Sequence, residues 1–327
     1  MTNPDFLRAL IAPYGPAAPL ETLVVELNRL YHSFEAKEYD RTHPEVHDQL
    51  PPLWSEMIRL VRSHCPDRSW NVLDFGCGTG FEAVQALEGF GNSGIRSVTC
   101  YDPSPEMLAL CRSKVGTRFP RARFCSTISE VLDTREEFDL LITNSLLHHL
   151  PCPKSEIRLL DPIIRKDAWW LLGHEPSKRF YRNPECYREF RQYRQSVAWR
   201  KATSSTVYWN RLKVMTGLKI NPAQAAASAA FEAGLFARKP SSSAVGRLVD
   251  FNVPHSSEEA HAGRGFDVRD LAQDFDSLWN LRWVRTYAFM ACFPESGLPQ
   301  RWRERCNRLA AKHPLDGANF CSAWSHA

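Results

Sequence analysis

No stretch of the 327 residues is apolar over the roughly 20 positions needed to cross a bilayer. The first twenty carry Asp5, Arg8 and four prolines instead of the unbroken apolar core of a secretory signal. The ten cysteines stand singly between Cys65 and Cys321 without a C-x-x-C pair, and the eleven histidines are scattered apart from His148-His149. That spacing argues against a disulfide framework and against a structural zinc site, so reduced thiols and no metal are expected. A formal charge of +4 rules out a polyelectrolyte tail, while 43% apolar residues suffice for a sizeable core. These limits describe a globular chain of the cytoplasm, with no membrane segment.

What is present is concentrated near residue 75. Val72-Leu73-Asp74-Phe75 has the apolar density of a strand covered on both faces, and it runs into Gly76, Gly78 and Gly80 at alternate positions. Glycines there allow a turn with positive φ and a close approach of backbone to ligand, before a helix whose first N–H groups are free. A second strand, Ser97–Tyr101, ends in Asp102, 28 positions beyond Asp74, where a carboxylate can accept from two ribose hydroxyls. The spacing G-x-G-x-G, with Phe81-Glu82 following, departs from the dinucleotide fingerprint G-x-G-x-x-G and favours an adenosyl ligand without a pyrophosphate.

Three ordered segments, 73–80, Asp102-Pro103-Ser104-Pro105-Glu106-Met107-Leu108, and Phe138–Leu141 leading to Leu147-His148-His149-Leu150-Pro151, resemble class I S-adenosylmethionine-dependent methyltransferases, small-molecule enzymes of types 11 and 12 among them. The resemblance implies S-adenosylmethionine as cofactor. It places Gly76, Cys77 and Gly78 at the homocysteine–adenosine elbow, Asp74 at the methionine amino group, and Tyr39 of Tyr39-Asp40-Arg41 near the methionine moiety. Met107, beside Pro103, would cover one adenine face or fill the core. The acid often found after the third strand is missing, and Ser126 is its weak replacement. Asn144 stands at the end of the fourth strand.

Alternating patterns over 71–173 predict an α/β, doubly wound parallel sheet; with two further strands after 264, the resemblance implies a Rossmann-like seven-stranded sheet with an antiparallel last strand. Apolar spacing at Leu20–Leu30 and Leu53–Val61 predicts helices, and the resemblance implies that the segment 1–70 forms an N-terminal helical cover over the cofactor. The cofactor core spans 71–175, a helical lid is inserted at 176–263, and 264–327 completes the sheet. The fifth strand is expected at Trp169–Leu172, and the later elements are helices at Asp267–Phe275 and Pro299–Lys312 and strands at Leu281–Met290 and Ala318–Trp324.

The lid opens with its least ordinary composition. Residues 178–213 hold ten Lys or Arg against Glu185 and Glu189, interleaved with aromatics that include Tyr181, Tyr187, Phe190, Tyr193, Tyr208 and Trp209. Spacing lets Tyr187, Phe190 and Tyr193 pack inward while the arginines face water. The competing reading is a surface for an anionic or aromatic acceptor, or for nucleic acid, the latter less favoured at so small a net charge.

Methyl transfer from a sulfonium needs an oriented acceptor and, for O–H or N–H acceptors, a route for a proton. His148 and His149 are candidates for that base, with a hydrogen-bonded loop role equally open to each. Glu175 can orient the acceptor, support a histidine or pair with Arg179; His174, Arg179 and Tyr181 are candidate acceptor contacts. The expectation is a methyltransferase of specialised metabolism acting on O, N or C of a small molecule, as a monomer or a homodimer. The alternatives are an RNA or protein methyltransferase docking through the basic lid, and a non-methylating protein that keeps the cofactor fold.

Overall fold

The computed structural model describes residues 4–202, 220–275 and 278–327. Its centre is a seven-stranded sheet of β1 (Trp70–Phe75), β2 (Ile95–Tyr101), β3 (Arg123–Cys125), β4 (Phe138–Asn144), β5 (Ile164–Pro176), β6 (Trp279–Tyr287) and β7 (Asn319–His326). The order across the sheet is β3-β2-β1-β4-β5-β7-β6. Strands β1 to β5 pair in parallel, while β7 is antiparallel to both β5 and β6. This is the Rossmann-like α/β architecture of class I methyltransferases.

Alternation along each strand explains why both faces are covered. Val72, Val98, Leu140, Ile142 and Leu171 pack on one face with Trp54, Ile58 and Val61 of the helix Leu50–His64. Leu73, Leu141, Trp170, Leu172 and Trp324 fill the other, with Ile157 and Leu271. All seven residues of β4 are buried, and each leucine there stabilises by about 1.5–3 kcal/mol relative to exposure. Its polar members are satisfied in place: the Trp170 Nε1–H donates to Thr143 Oγ1 at 2.9 Å.

Two strands end differently from expectation. β6 stops at Tyr287 instead of Met290, because Ala288 (φ 59°) and Ala291 (φ 43°) turn the chain away. β5 continues past Leu172 to Pro176 through a register shift between Leu172 and Glu175, with His174 at φ 54°. Such a bulge re-aims the side chains beyond it, here Glu175.

The insertion is helical, with segments Lys178–Arg182, Pro184–Ala202, Pro222–Glu232, Ser242–Val249 and Ser257–His261. It does not stand apart from the N-terminal cover: Leu23, Val24 and Leu27 of the helix Leu20–Glu35 share one apolar cluster with Ala226, Ala227, Ala230, Val245 and Leu248. The alanines let the two backbones approach closely. In the basic helix Pro184–Ala202, Phe190 is buried, Tyr187 and Tyr193 are half-buried, and Arg188, Arg191 and Arg194 are exposed. Its acids face inward to the helix Gln300–Lys312, where Arg305 pairs with Glu189 at 2.7 Å and Lys312 with Glu185 at 2.6 Å. Tyr208 and Trp209 lie outside the described residues. No helix among the described residues is long and apolar enough to cross a membrane.

Candidate active site

The strand order reverses direction between β1 and β4, and a crevice opens outside their carboxyl ends, where open α/β sheets bind ligands. There the loop after β1 holds Gly76 at φ 81° and Gly78 at φ 47°. A Cβ built on Gly78 would meet no atom within 4 Å, so the loop presents bare backbone to open space. The resulting cleft, about 1130 Å³ including its mouth, is walled by the β1, β2 and β4 loops and roofed by the helix Leu20–Glu35 through Val25, Asn28 and His32.

Asp102 anchors the floor. Its two oxygens accept from Gly78 N at 2.9 Å and Ser104 N at 2.8 Å. That uses two of about four acceptor positions and leaves one on each oxygen for the cleft. Burial pushes the carboxyl up to about 6, against the lowering effect of those two N–H bonds. Asn28 lines the same cleft, and its Oδ1 is buried with no hydrogen-bond partner among the described residues. Free acceptor positions on Asp102 and a bare glycine cradle fit an adenosyl ligand carrying hydroxyl donors.

The roof is stapled to the glycine loop. Thr79 Oγ1–H donates to Asp40 Oδ1 at 2.7 Å, and Asp40 also pairs with Lys114. Partial burial opposes ionisation of Asp40, but the bonds from Lys114 and Thr79 hold its carboxyl below the ordinary value. Next to it Tyr39 lines the cleft and stacks on His43 at 4.1 Å.

At the end of β4, Asn144 lines the cleft, its Oδ1 accepting from Trp54 Nε1 at 3.4 Å. Gly173, its partner across β5, makes room for that side chain: a Cβ there would lie 2.2 Å from Asn144 Oδ1 and displace it. The next loop carries the histidine pair. Glu175, fully buried, accepts from the N–H groups of Leu146 and Leu147 at 2.8 Å and of His148 at 3.2 Å. It also accepts from His148 Nδ1 at 2.9 Å. Burial works against a protonated His148, yet the Glu175 charge and hydrogen bond hold its pKa above the ordinary value. His149 donates Nδ1–H to the Val249 carbonyl at 2.7 Å; burial, then the neighbouring His148 and His32, push its pKa far down. His149 lines the cleft and His148 lies behind it, the rings 4.0 Å apart.

The structure brings Asp102, Gly76, Cys77, Gly78, Pro103, Met107, Asn144, Tyr39 and His149 to one cleft. The other candidates lie elsewhere. Asp74 is fully buried beneath the loop and does not line the cleft: one oxygen accepts from Ala83 N at 3.1 Å, and the other has no partner among the described residues. Ser126 is exposed and does not line the cleft, its N–H and Oγ being engaged with Glu130 in the capping of the helix Ile128–Asp133. Glu175 faces the loop and not an acceptor. Arg179 does not pair with Glu175; it reaches Asp316 at 2.9 Å and Asp267 at 3.5 Å and seats the insertion. Tyr181 packs on Phe180 and Phe190 beside a separate surface groove. His174 is held by the Tyr287 hydroxyl at 2.6 Å, outside the cleft, and burial with nearby His148 and His43 pushes it down to about 3.

Sequence reasoning missed Glu82, Asn28, His32 and Glu156, all at the cleft. Burial pushes the Glu82 carboxyl up to about 8, with Asn144 partly offsetting it. An acid directly after the glycine loop was visible; that it points into the cleft was not. Asn28 and His32, four apart on the inner face of one amphipathic helix, could have been found from that period alone.

The comparisons with known proteins place this cleft within a methyltransferase domain. Residues 72–164 match the family model described as "Methyltransferase domain". That matched segment is a methyltransferase domain, and the methyl donor it implies is S-adenosylmethionine. Over 124 residues it is 25% identical to malonyl-[acyl-carrier protein] O-methyltransferase 1 of Ilyobacter polytropus, an alignment covering 37% of this chain and 42% of that protein. Among solved structures it is similar to the plantazolicin methyltransferase BpumL in complex with a monoazolic desmethylPZN analog and SAH, at TM-score 0.44 and 11% identity over 94% of this chain and 96% of that one. Another is an S-adenosylmethionine-dependent methyltransferase from Clostridium acetobutylicum, at TM-score 0.33 and 17% identity over 40% and 52% of the two chains.

Proposed function

We propose that the chain transfers a methyl group from S-adenosylmethionine to an oxygen, nitrogen or carbon of a small organic acceptor in specialised metabolism. The observation that carries this reading is the enclosure of the cleft. The helix Leu20–Glu35 roofs it, and the insertion shares an apolar core with that roof, so the acceptor end is bounded by protein on more than the sheet side. A pocket covered in this way suits a whole small molecule better than a segment of a polymer. The exposed arginines of the basic helix and the acids that tie its inner side down are consistent with a solvated face.

S-adenosylmethionine supplies an electrophilic methyl carbon on sulfur, so little activation of the donor is required. In this reading Asp102 holds the ribose hydroxyls, the Gly76–Gly80 loop gives close backbone contact, and Tyr39, Glu82 and Asn144 shape the methionine end. His149 presents its ring to the acceptor, with His148 and Glu175 positioning that loop from behind. The compartment that goes with the proposal is the cytoplasm, supported by ten cysteines of which none is in a disulfide.

The test is incubation of the protein with methyl-labelled donor and a fractionated cell extract. Label in material that passes a membrane of about 3 kDa cut-off is expected; label confined to nuclease- or protease-sensitive material overturns the small-molecule assignment.

A further inference from the structure

The histidine pair has a third companion, contributed by the insertion a hundred residues away. One ring nitrogen from each of His148 and His149 and a carboxylate oxygen of Asp250 all lie within 4.8 Å of one another. Donors bound about 2.1 Å from a common ion sit roughly 3–4 Å apart, so small side-chain rotations would close the set.

The hydrogen bonds around the pair are those an ion would need. The Val249 carbonyl can only accept, so the proton of a neutral His149 sits on Nδ1 and its lone pair on Nε2. His148 likewise gives its Nδ1 to the Glu175 carboxylate. Neither Nε2 makes a hydrogen bond among the described residues, and the Asp250 carboxylate accepts none. A carboxylate behind one imidazole and a backbone carbonyl behind the other are the usual outer supports of metal-ligating histidines.

The segment bearing Asp250 is fixed against the histidine loop. Asn252 N–H donates to the His148 carbonyl at 2.8 Å, and Asn252 Nδ2 to the Leu150 carbonyl at 2.8 Å. Arg264, itself buried, donates to the carbonyls of Asp250 and Phe251, both at 2.8 Å. The three donors therefore come from two strands of chain locked to one another, which is what preorganisation of a site requires.

We propose that His148, His149 and Asp250 bind a divalent first-row transition-metal ion beside the acceptor end of the cofactor cleft. Two imidazoles and one carboxylate select zinc, iron, cobalt or nickel over magnesium or calcium. Three protein ligands leave coordination positions open, as in catalytic rather than structural sites. Because His149 lines the cleft, an acceptor hydroxyl can lie beside the dication, where it gives its proton to water more readily. Its oxygen then forms the bond to the methyl carbon as the methyl–sulfur bond breaks and sulfur leaves as the neutral thioether. The chemistry rests on the methyl-transfer reading above; the binding of the ion does not.

The experiment is a titration of chelator-treated full-length protein with Co²⁺, followed by visible absorption and by competition with Zn²⁺, in the wild type, Asp250→Asn and His149→Ala. One equivalent of Co²⁺ with ligand-field bands displaced by Zn²⁺ is expected, weakened at least about tenfold in either variant that keeps the wild-type circular dichroism. No stoichiometric Co²⁺ binding by the wild type, or undiminished binding by a folded variant, overturns the site. Calorimetry with S-adenosylhomocysteine on the same samples separates the two readings: its loss alone contradicts the cofactor assignment, and loss of the metal alone contradicts only this inference.

Discussion

Glu175 and His148 form a fully enclosed pair, 2.9 Å from carboxylate to Nδ1, in which the same carboxylate also collects three consecutive backbone N–H groups of the loop after β4. One side chain thereby fixes the path of the loop and the tautomer of its first histidine. Replacing it should act first on structure. Glu175→Gln, which exchanges one acceptor oxygen for a donor among donors, is expected to cost about 1–3 kcal/mol in urea unfolding. A variant of wild-type stability would contradict the geometry.

Ser126 and Asp102 end adjacent strands, yet only one faces the cleft. Ser126→Ala should leave the dissociation constant for S-adenosylhomocysteine within about twofold of wild type and cost less than roughly 1 kcal/mol, because its contacts all go to Glu130. A clear loss of affinity on calorimetry would return Ser126 to the site.

Gly173 is constrained by Asn144 and Trp54, not by its own φ. A Cβ there overlaps Asn144 Oδ1, so Gly173→Ala should push Asn144 toward the ligand and cost about 1–3 kcal/mol of stability together with weaker cofactor binding. Unchanged melting and unchanged calorimetry would show that the contact relaxes freely.

Glu82 carries a pH prediction. Its pKa is raised by burial from 4.5 to about 8, so the folded state holds this proton more tightly than the unfolded chain. The associated stability is present in full below pH 4.5 and is lost as pH rises through 8. Glu82→Gln keeps the shape and cannot ionise. The wild type should lose melting temperature between pH 5 and 8.5 relative to Glu82→Gln, and parallel profiles would refute a protonated Glu82.

The strands and the glycine loop were legible because they depend on local period: β1, β2, β4 and β7 read as apolar runs with turn residues at their ends, while the antiparallel closure followed from the resemblance. The site was legible where a residue sits in backbone that the motif itself shapes, as with Gly76, Gly78 and Asp102. It was not legible where tertiary packing decides direction. Asp74 lies within the same motif, but its place on the helix-covered face of β1 turns it into the core. Glu175 is re-aimed by the bulge at His174, which no local pattern announced. Asp250 is brought to His148 and His149 by the insertion's own hydrogen bonds, a hundred residues from the pair.

The account stands most directly on Asp102, and calorimetry with S-adenosylmethionine across pH tests it. Ionised Asp102 has an acceptor position free on each oxygen, and its pKa of about 6 places the loss of one at lower pH. Wild-type affinity should be level near pH 8 and fall below pH 6 toward tenfold per pH unit. Asp102→Asn should bind at least about tenfold more weakly at pH 8, with the acidic fall removed. Wild-type affinity in Asp102→Asn, or an acidic limb unchanged by it, would contradict the assignment of this cleft to the adenosyl donor.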